Sequence, residues 1–212
     1  MNAFWPWVTL AALGASHGVN PGMGWLFAVA LGLQERSGRA VVRALPPIAL
    51  GHAISIAVTV AVLALLQVAI PIDRLRWVIA FGLIGFGVYK LWRPRHPRWV
   101  GMRVGFGDLT LWSFLMATAH GAGLMLLPVF LLGLSADHAG HAAHHGMALP
   151  FDTWATYVAG VGLHTLAMLL TTAVIAALVY WKLGVSILRQ TWFNLDRCWA
   201  GALVVAGVLA AV

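Results

Sequence analysis

Ser16-His17-Gly18-Val19-Asn20-Pro21-Gly22-Met23-Gly24 sits in the middle of the first long apolar run of the chain. Proline has no backbone N–H to give to a helix, so Asn20-Pro21-Gly22 predicts a break at this point. At membrane depth the backbone groups released by a break, together with a histidine and an asparagine, find no partner in hydrocarbon, so the segment is expected to face protein or a cavity. The flanking sequence stays apolar in both directions.

Of the 212 residues, 61% are hydrophobic and only 9% charged, a composition that excludes an ordinary soluble domain and points to a polytopic membrane protein. The net charge of +7 does not make it a nucleic-acid binder, because the basic residues lie in short connections between apolar runs and form no soluble basic face. The first residues, Met1-Asn2-Ala3-Phe4-Trp5, lack the basic region of a cleavable signal, and the first helix is expected to stay in the protein. The one cysteine, Cys198, excludes an internal disulfide and a dithiol relay. Tryptophans at the ends of runs, such as Trp5, Trp77, Trp92, Trp154 and Trp181, fit interfacial belts.

Apolar runs long enough to cross a bilayer lie at about 4–33, 44–69, 77–92, 111–134, 153–181 and 198–212, which predicts an all-α protein of six transmembrane helices. The first is too long for one straight span, and its excess coincides with the Asn20-Pro21-Gly22 break, so two half-helices are expected there. All of the 13 lysines and arginines except Arg74 and Arg76 fall in the first, third and fifth connections. By the positive-inside rule those connections face the cytoplasm of a prokaryotic inner membrane, and both termini and the fourth connection face outward.

The two halves of the chain, 1–105 and 106–212, repeat a pattern. Ala15-Ser16-His17-Gly18 answers Thr118-Ala119-His120-Gly121, and Leu50-Gly51-His52-Ala53 answers Gly162-Leu163-His164-Thr165. Arg76-Trp77 answers Arg197 to Trp199. Three crossings per half invert the second relative to the first, and inverted repeats carry their substrate sites near the midplane.

His17, His52, His120 and His164 all fall well inside these runs, at the repeat-related positions. Imidazole is the commonest protein ligand for transition metals, and its polar cost in lipid calls for a partner or a ligand. Taken singly, each is equally well read as a packing histidine bonded to a neighbouring helix. Ser55 and Thr59 follow His52 at i+3 and i+7, and Met168 and Thr171 follow His164 at i+4 and i+7. These stripes, with Asn20 and Pro21, would line a substrate path or form an interhelical hydrogen-bond seam. The fourth connection, 135–152, holds Asp137, His138, His141, His144 and His145 among alanines and glycines, a composition suited to capturing metal at the membrane face. Walker loops, nucleotide fingerprints and His-Glu-x-x-His are absent, so an enzyme is not the expected class.

His17-Gly18-Val19-Asn20-Pro21-Gly22, His120-Gly121-Ala122-Gly123 and Gly51-His52-Ala53 together resemble the lysine-exporter superfamily, particularly its nickel/cobalt transporter and urease-accessory branch, which is related to the transmembrane disulfide electron carriers. The resemblance implies inverted three-helix repeats with a helix-breaking motif in the first span of each. It also implies intramembrane histidines that handle metal. Gly22 stands where that branch has an acid after the proline, and the fourth run has no proline before Pro128. The expected function is transport of a divalent transition metal, nickel, cobalt, zinc or copper, with the bilayer and the metal as partners and a homo-oligomer or larger membrane complex as further settings. The alternative is a redox subunit holding haem or another metal on histidines of facing helices.

Overall fold

The structure is a computed structural model that describes residues 4–69, 71–92, 105–130, 154–183 and 195–211, and every regular element among them is helical. Helix α1 spans Trp5–Val19, followed by a single 3₁₀ turn at Pro21–Met23 and by α2 at Trp25–Gln34. Helix α3 spans Gly38–Ala69 and α4 Ile72–Trp92. In the second half come α5 (Phe106–His120), α6 (Ala122–Phe130), α7 (Trp154–Leu178), which continues through a wider turn at Val179–Leu183, and α8 (Leu195–Ala211).

The expected break is there, and its own residues close it. Asn20 is extended (φ −68°, ψ 123°), and its Oδ1 accepts from Gly22 N at 2.9 Å. Met23 N donates to Asn20 O at 2.9 Å and Gly24 N to Pro21 O at 3.3 Å. Val19 O, which a continuous helix would bond to the fourth residue onward, instead accepts the Trp25 indole N–H at 3.0 Å. Gly24 turns the chain with φ +127°, a conformation open to glycine because it has no Cβ.

A second break separates α5 from α6, which meet at 57°. It arises at Gly121, in the left-handed region at φ 71°, and not at Pro128, which is buried inside α6. Helix α3 begins at Gly38, ahead of the apolar run expected from 44, because Arg39 and Arg43 continue the helix without being apolar. It passes through Pro46 and Pro47, and an ion pair between Arg43 and Glu35 spans the turn that leads into it.

Close glycine contacts set the helix directions. A Cβ on Gly14 would overlap the carbonyl oxygen of His164, and one on Gly18 would stand 2.5 Å from the carbonyl oxygen of Met168, so α1 and α7 run parallel in backbone contact. On α3, Gly51 meets the Thr110 backbone, Ile48 O accepts from Ser113 Oγ at 2.6 Å, and Ser55 Oγ lies 2.9 Å from Thr118 Oγ1. From Gly51 with Thr110, through Ser55 with Thr118, to Thr59 with Gly123 the contacts advance together, so α3 runs parallel to α5 and its continuation α6. Gly87 faces Ala200 and Gly207 faces Ala80, which makes α4 and α8 antiparallel.

Large apolar side chains cover much of the outside: Leu65, Phe81, Val158 and Leu170 are all more than half exposed, as lipid-facing residues need to be. Gly38–Leu66 and Trp154–Lys182 are long and apolar enough to cross a membrane, and the bent α5–α6 pair makes a third if it counts as one span. This is fewer than the six expected from run length. The break divides the first run into helices of 15 and 10 residues, and the apolar stretches of α4 and α8 are short at Trp77–Trp92 and Ala200–Ala210.

Candidate functional site

Three of the four histidines of the apolar runs meet. The His17 ring centroid lies 5.5 Å from that of His52 and 5.0 Å from that of His164, and the His52 and His164 rings are 5.5 Å apart and within 4° of parallel. All three are fully buried. Their level in the bundle follows from the two apolar clusters of the core, one around Leu10, Ile56 and Phe130 and one around Trp25, Ile48 and Ala176. Along α1 and its continuation His17 falls between Leu10 and Trp25, along α3 His52 falls between Ile48 and Ile56, and along α7 His164 falls between Val161 and Ala176. The polar triangle therefore occupies the waist between two greasy halves.

Backbone carbonyls orient the rings. His17 Nδ1 is 2.7 Å from Leu13 O, His164 Nδ1 is 3.1 Å from Leu10 O on the neighbouring helix, and His120 Nδ1 is 2.8 Å from Met116 O. A carbonyl only accepts, so in the neutral imidazole Nδ1 carries the hydrogen and Nε2 presents its lone pair. Metal-ligating histidines have this arrangement, with one nitrogen held by the protein and the other bare. Among the described residues His164 Nε2 and both ring nitrogens of His52 are buried with no hydrogen-bond partner. Such atoms call for a ligand, because an unmet polar group in the interior costs about 1–3 kcal/mol.

His120 is buried too but lies outside the triangle of ring contacts. Its Cε1 and the Met116 Cε each stand 3.3 Å from the position a Cβ on Gly22 would take, which puts it across the 3₁₀ turn. Of the expected path residues, Pro21 opens that turn, and Asn20 is 4% exposed with its Nδ2 buried and unpartnered among the described residues. The carbonyls expected to be released near Pro21 are not free: Val19, Asn20 and Pro21 each accept a hydrogen bond within the break.

Ser55 and Thr59 belong to a seam. Ser55 bonds Thr118 across α3 and α5, and Thr59 donates to Ser55 O at 3.0 Å while its side chain fills the space beside Gly123. Met168 is fully buried one turn beyond His164, whereas Thr171 donates to Ala167 O and packs on Gly18. The fully buried hydroxyl on that face is Thr172, whose Oγ1 donates to Met168 Sδ at 3.4 Å. The repeat of four through His164 and Met168 leads to it. Gly14 and Gly18 carry their own signal, the small-xxx-small spacing of tightly packed membrane helices. Asp137, His138, His141, His144 and His145 lie outside the described residues.

No family model, curated protein or solved structure matches this chain. The chemistry of the site is read from its own residues. Three imidazoles on one tetrahedral ion, with metal–nitrogen distances of about 2.1 Å, have centroids roughly 5 Å apart, close to the spacing here. As the side chains lie, His, Cys, Asp and Glu among the described residues form no group of three or more that could hold a metal ion. Reorientation of His52, whose ring nitrogens are bonded to nothing among the described residues, is the smallest change that would bring donors together.

Proposed function

We propose that the chain is a multi-pass transporter of a transition-metal ion in a prokaryotic cytoplasmic membrane, resembling the lysine-exporter superfamily and built as two inverted three-helix repeats. The single observation that carries the reading is the buried triangle of His17, His52 and His164, in which the His52 ring nitrogens and His164 Nε2 have no hydrogen-bond partner among the described residues, beside a helix break at the waist of an apolar bundle.

The packing supports the repeat. Exchanging the first three runs with the last three turns the parallel α1–α7 contact into the parallel α5–α3 contact, and returns the antiparallel α4–α8 contact to itself. It also exchanges the break after His17 for the one after His120, and each of those histidines bonds the carbonyl four residues before it. Two domains related in this way would rock about the shared site and expose it to one side at a time. The loop histidines at 138, 141, 144 and 145 would gather the ion on the outer face.

A haem between His52 and His164 is the weaker reading, since a macrocycle entering between those planes would strike the His17 ring that touches both. An optical spectrum of the purified protein is expected to lack a Soret band.

Metal flux into proteoliposomes tests the transport site. Replacing both His17 and His120 with alanine should reduce flux by about 10–100-fold, the range for loss of groups that bind or orient a metal. Undiminished flux in the double variant would eliminate the site.

A further inference from the structure

The donors gathered around the break are neutral and soft. Met23, Met116, Met125 and Met168 are all buried, and two of them, Met116 and Met168, border the histidines. Met168 lies one turn beyond His164, its backbone against Gly18, and its sulfur faces the Thr172 hydroxyl. Met116 stands beside His120 at Gly22, and Met23 closes the 3₁₀ turn.

Of the carboxylates whose side chains are described, none is buried: Glu35 and Asp108 are exposed, the latter capping α5 by accepting from Gly105 N at 2.9 Å. The cost of taking an ion out of water grows with the square of its charge, so a divalent ion costs about four times as much as a monovalent one of equal size. No described carboxylate stands beside the histidines to offset it, which favours the lower valence. Thioether and imidazole together favour copper in its lower oxidation state over nickel, cobalt or zinc. Such a d¹⁰ ion is content with two or three ligands and does not need the convergent trio of nitrogens that the resting side chains do not form.

We infer that the ion this site takes is monovalent and soft, Cu(I), bound by imidazole nitrogens of His52 and His164 at the His17 contact, with the thioether of Met168 as a further ligand. The inference rests on the transporter reading and replaces the divalent ion expected from the histidines alone.

The test uses the full chain in detergent micelles, purified without a metal-affinity step, with His138, His141, His144 and His145 changed to serine so that the loop does not contribute. Cu(I) under anaerobic reducing conditions is titrated against a chromogenic Cu(I) chelator, with Ag(I) as a redox-inert stand-in and with Zn(II) and Ni(II) in parallel. The expected result is one Cu(I) or Ag(I) per chain, no comparable uptake of Zn(II) or Ni(II), a hundredfold or greater weakening in His52→Ala with His164→Ala, and about tenfold in Met168→Leu, which keeps the side-chain volume. A thermal melt confirms that each variant is folded. Tighter binding of Zn(II) or Ni(II) than Cu(I), lost in the same histidine variant, overturns the inference and leaves the transport reading standing. Failure of all four ions to bind removes both. Unchanged Cu(I) affinity in Met168→Leu removes the thioether from the ligand set.

Discussion

Gly14 and Gly51 show how much one methyl group decides in this bundle. A Cβ at Gly14 would run into the carbonyl oxygen of His164, and one at Gly51 into that of Thr110, and backbone cannot step aside as a side-chain tip can. Alanine at either position should destabilise the protein by about 1–3 kcal/mol through overpacking. At Gly82 and Gly85, where nothing stands within 4 Å, alanine should be neutral or stabilising by up to about 1 kcal/mol. Thermal melts of the four variants in one detergent check this, and equal melting temperatures would contradict the backbone contacts. Gly14→Ala should also reduce metal affinity, because the His164 carbonyl it meets belongs to a residue of the triangle. The four histidines were legible in the sequence because ionisable groups in apolar runs stand out. That the rings of His17, His52 and His164 touch while His120 faces Gly22 across the 3₁₀ turn was not legible, since it depends on the helix crossings that these glycines permit.

The first run, too long for one straight span, folds as two helices, and the connection between them is more tightly held than a break induced by proline alone requires. Asn20, Pro21 and Val19 use their carbonyls, Asn20 caps the turn with its side chain, and Trp25 reaches back over the gap. This is a fixed elbow that holds His17 at the end of one half-helix. Gly24→Ala should strain it twice, by forcing φ +127° on a residue with a Cβ and by setting that Cβ 2.5 Å from Ile48 Cγ2. A loss of about 1–3 kcal/mol is expected. Trp25→Phe keeps most of the ring and drops only the bond to Val19 O, so its cost should be about 1 kcal/mol. Chemical denaturation of both variants orders them, and a larger loss in Trp25→Phe than in Gly24→Ala would locate the elbow's rigidity in the indole instead. Asn-Pro-Gly announced this break because proline removes a donor wherever it falls. The bend at Gly121 is only as visible as any glycine in an apolar run. Pro46 and Pro47, by contrast, lie within a continuous α3.

At the scale of the molecule the helix directions bear on topology independently of charge. Gly32 and Gly38, either side of the first connection, meet Tyr180 and Trp181 at the end of α7, which puts the first connection and the start of the fifth at the same end of the bundle. The antiparallel α4–α8 pair brings the end of α4, which opens the third connection, level with the start of α8. Those are the three connections rich in lysine and arginine, so the charge bias and the packing point to one face without sharing a premise. Single cysteines placed in a Cys198→Ser background make this measurable in intact cells with a membrane-impermeant maleimide. Cysteine at Ser37 or at Arg189 should label only after the membrane is opened, and cysteine at Ala139, in the histidine-rich connection, should label at once. If Ser37 and Ala139 label from the same side, an odd number of crossings does not separate them and the inverted repeat fails. Opposite sides, as expected, put the histidine loop and the arginine-rich connections on the two faces between which a site at the waist would exchange its ion.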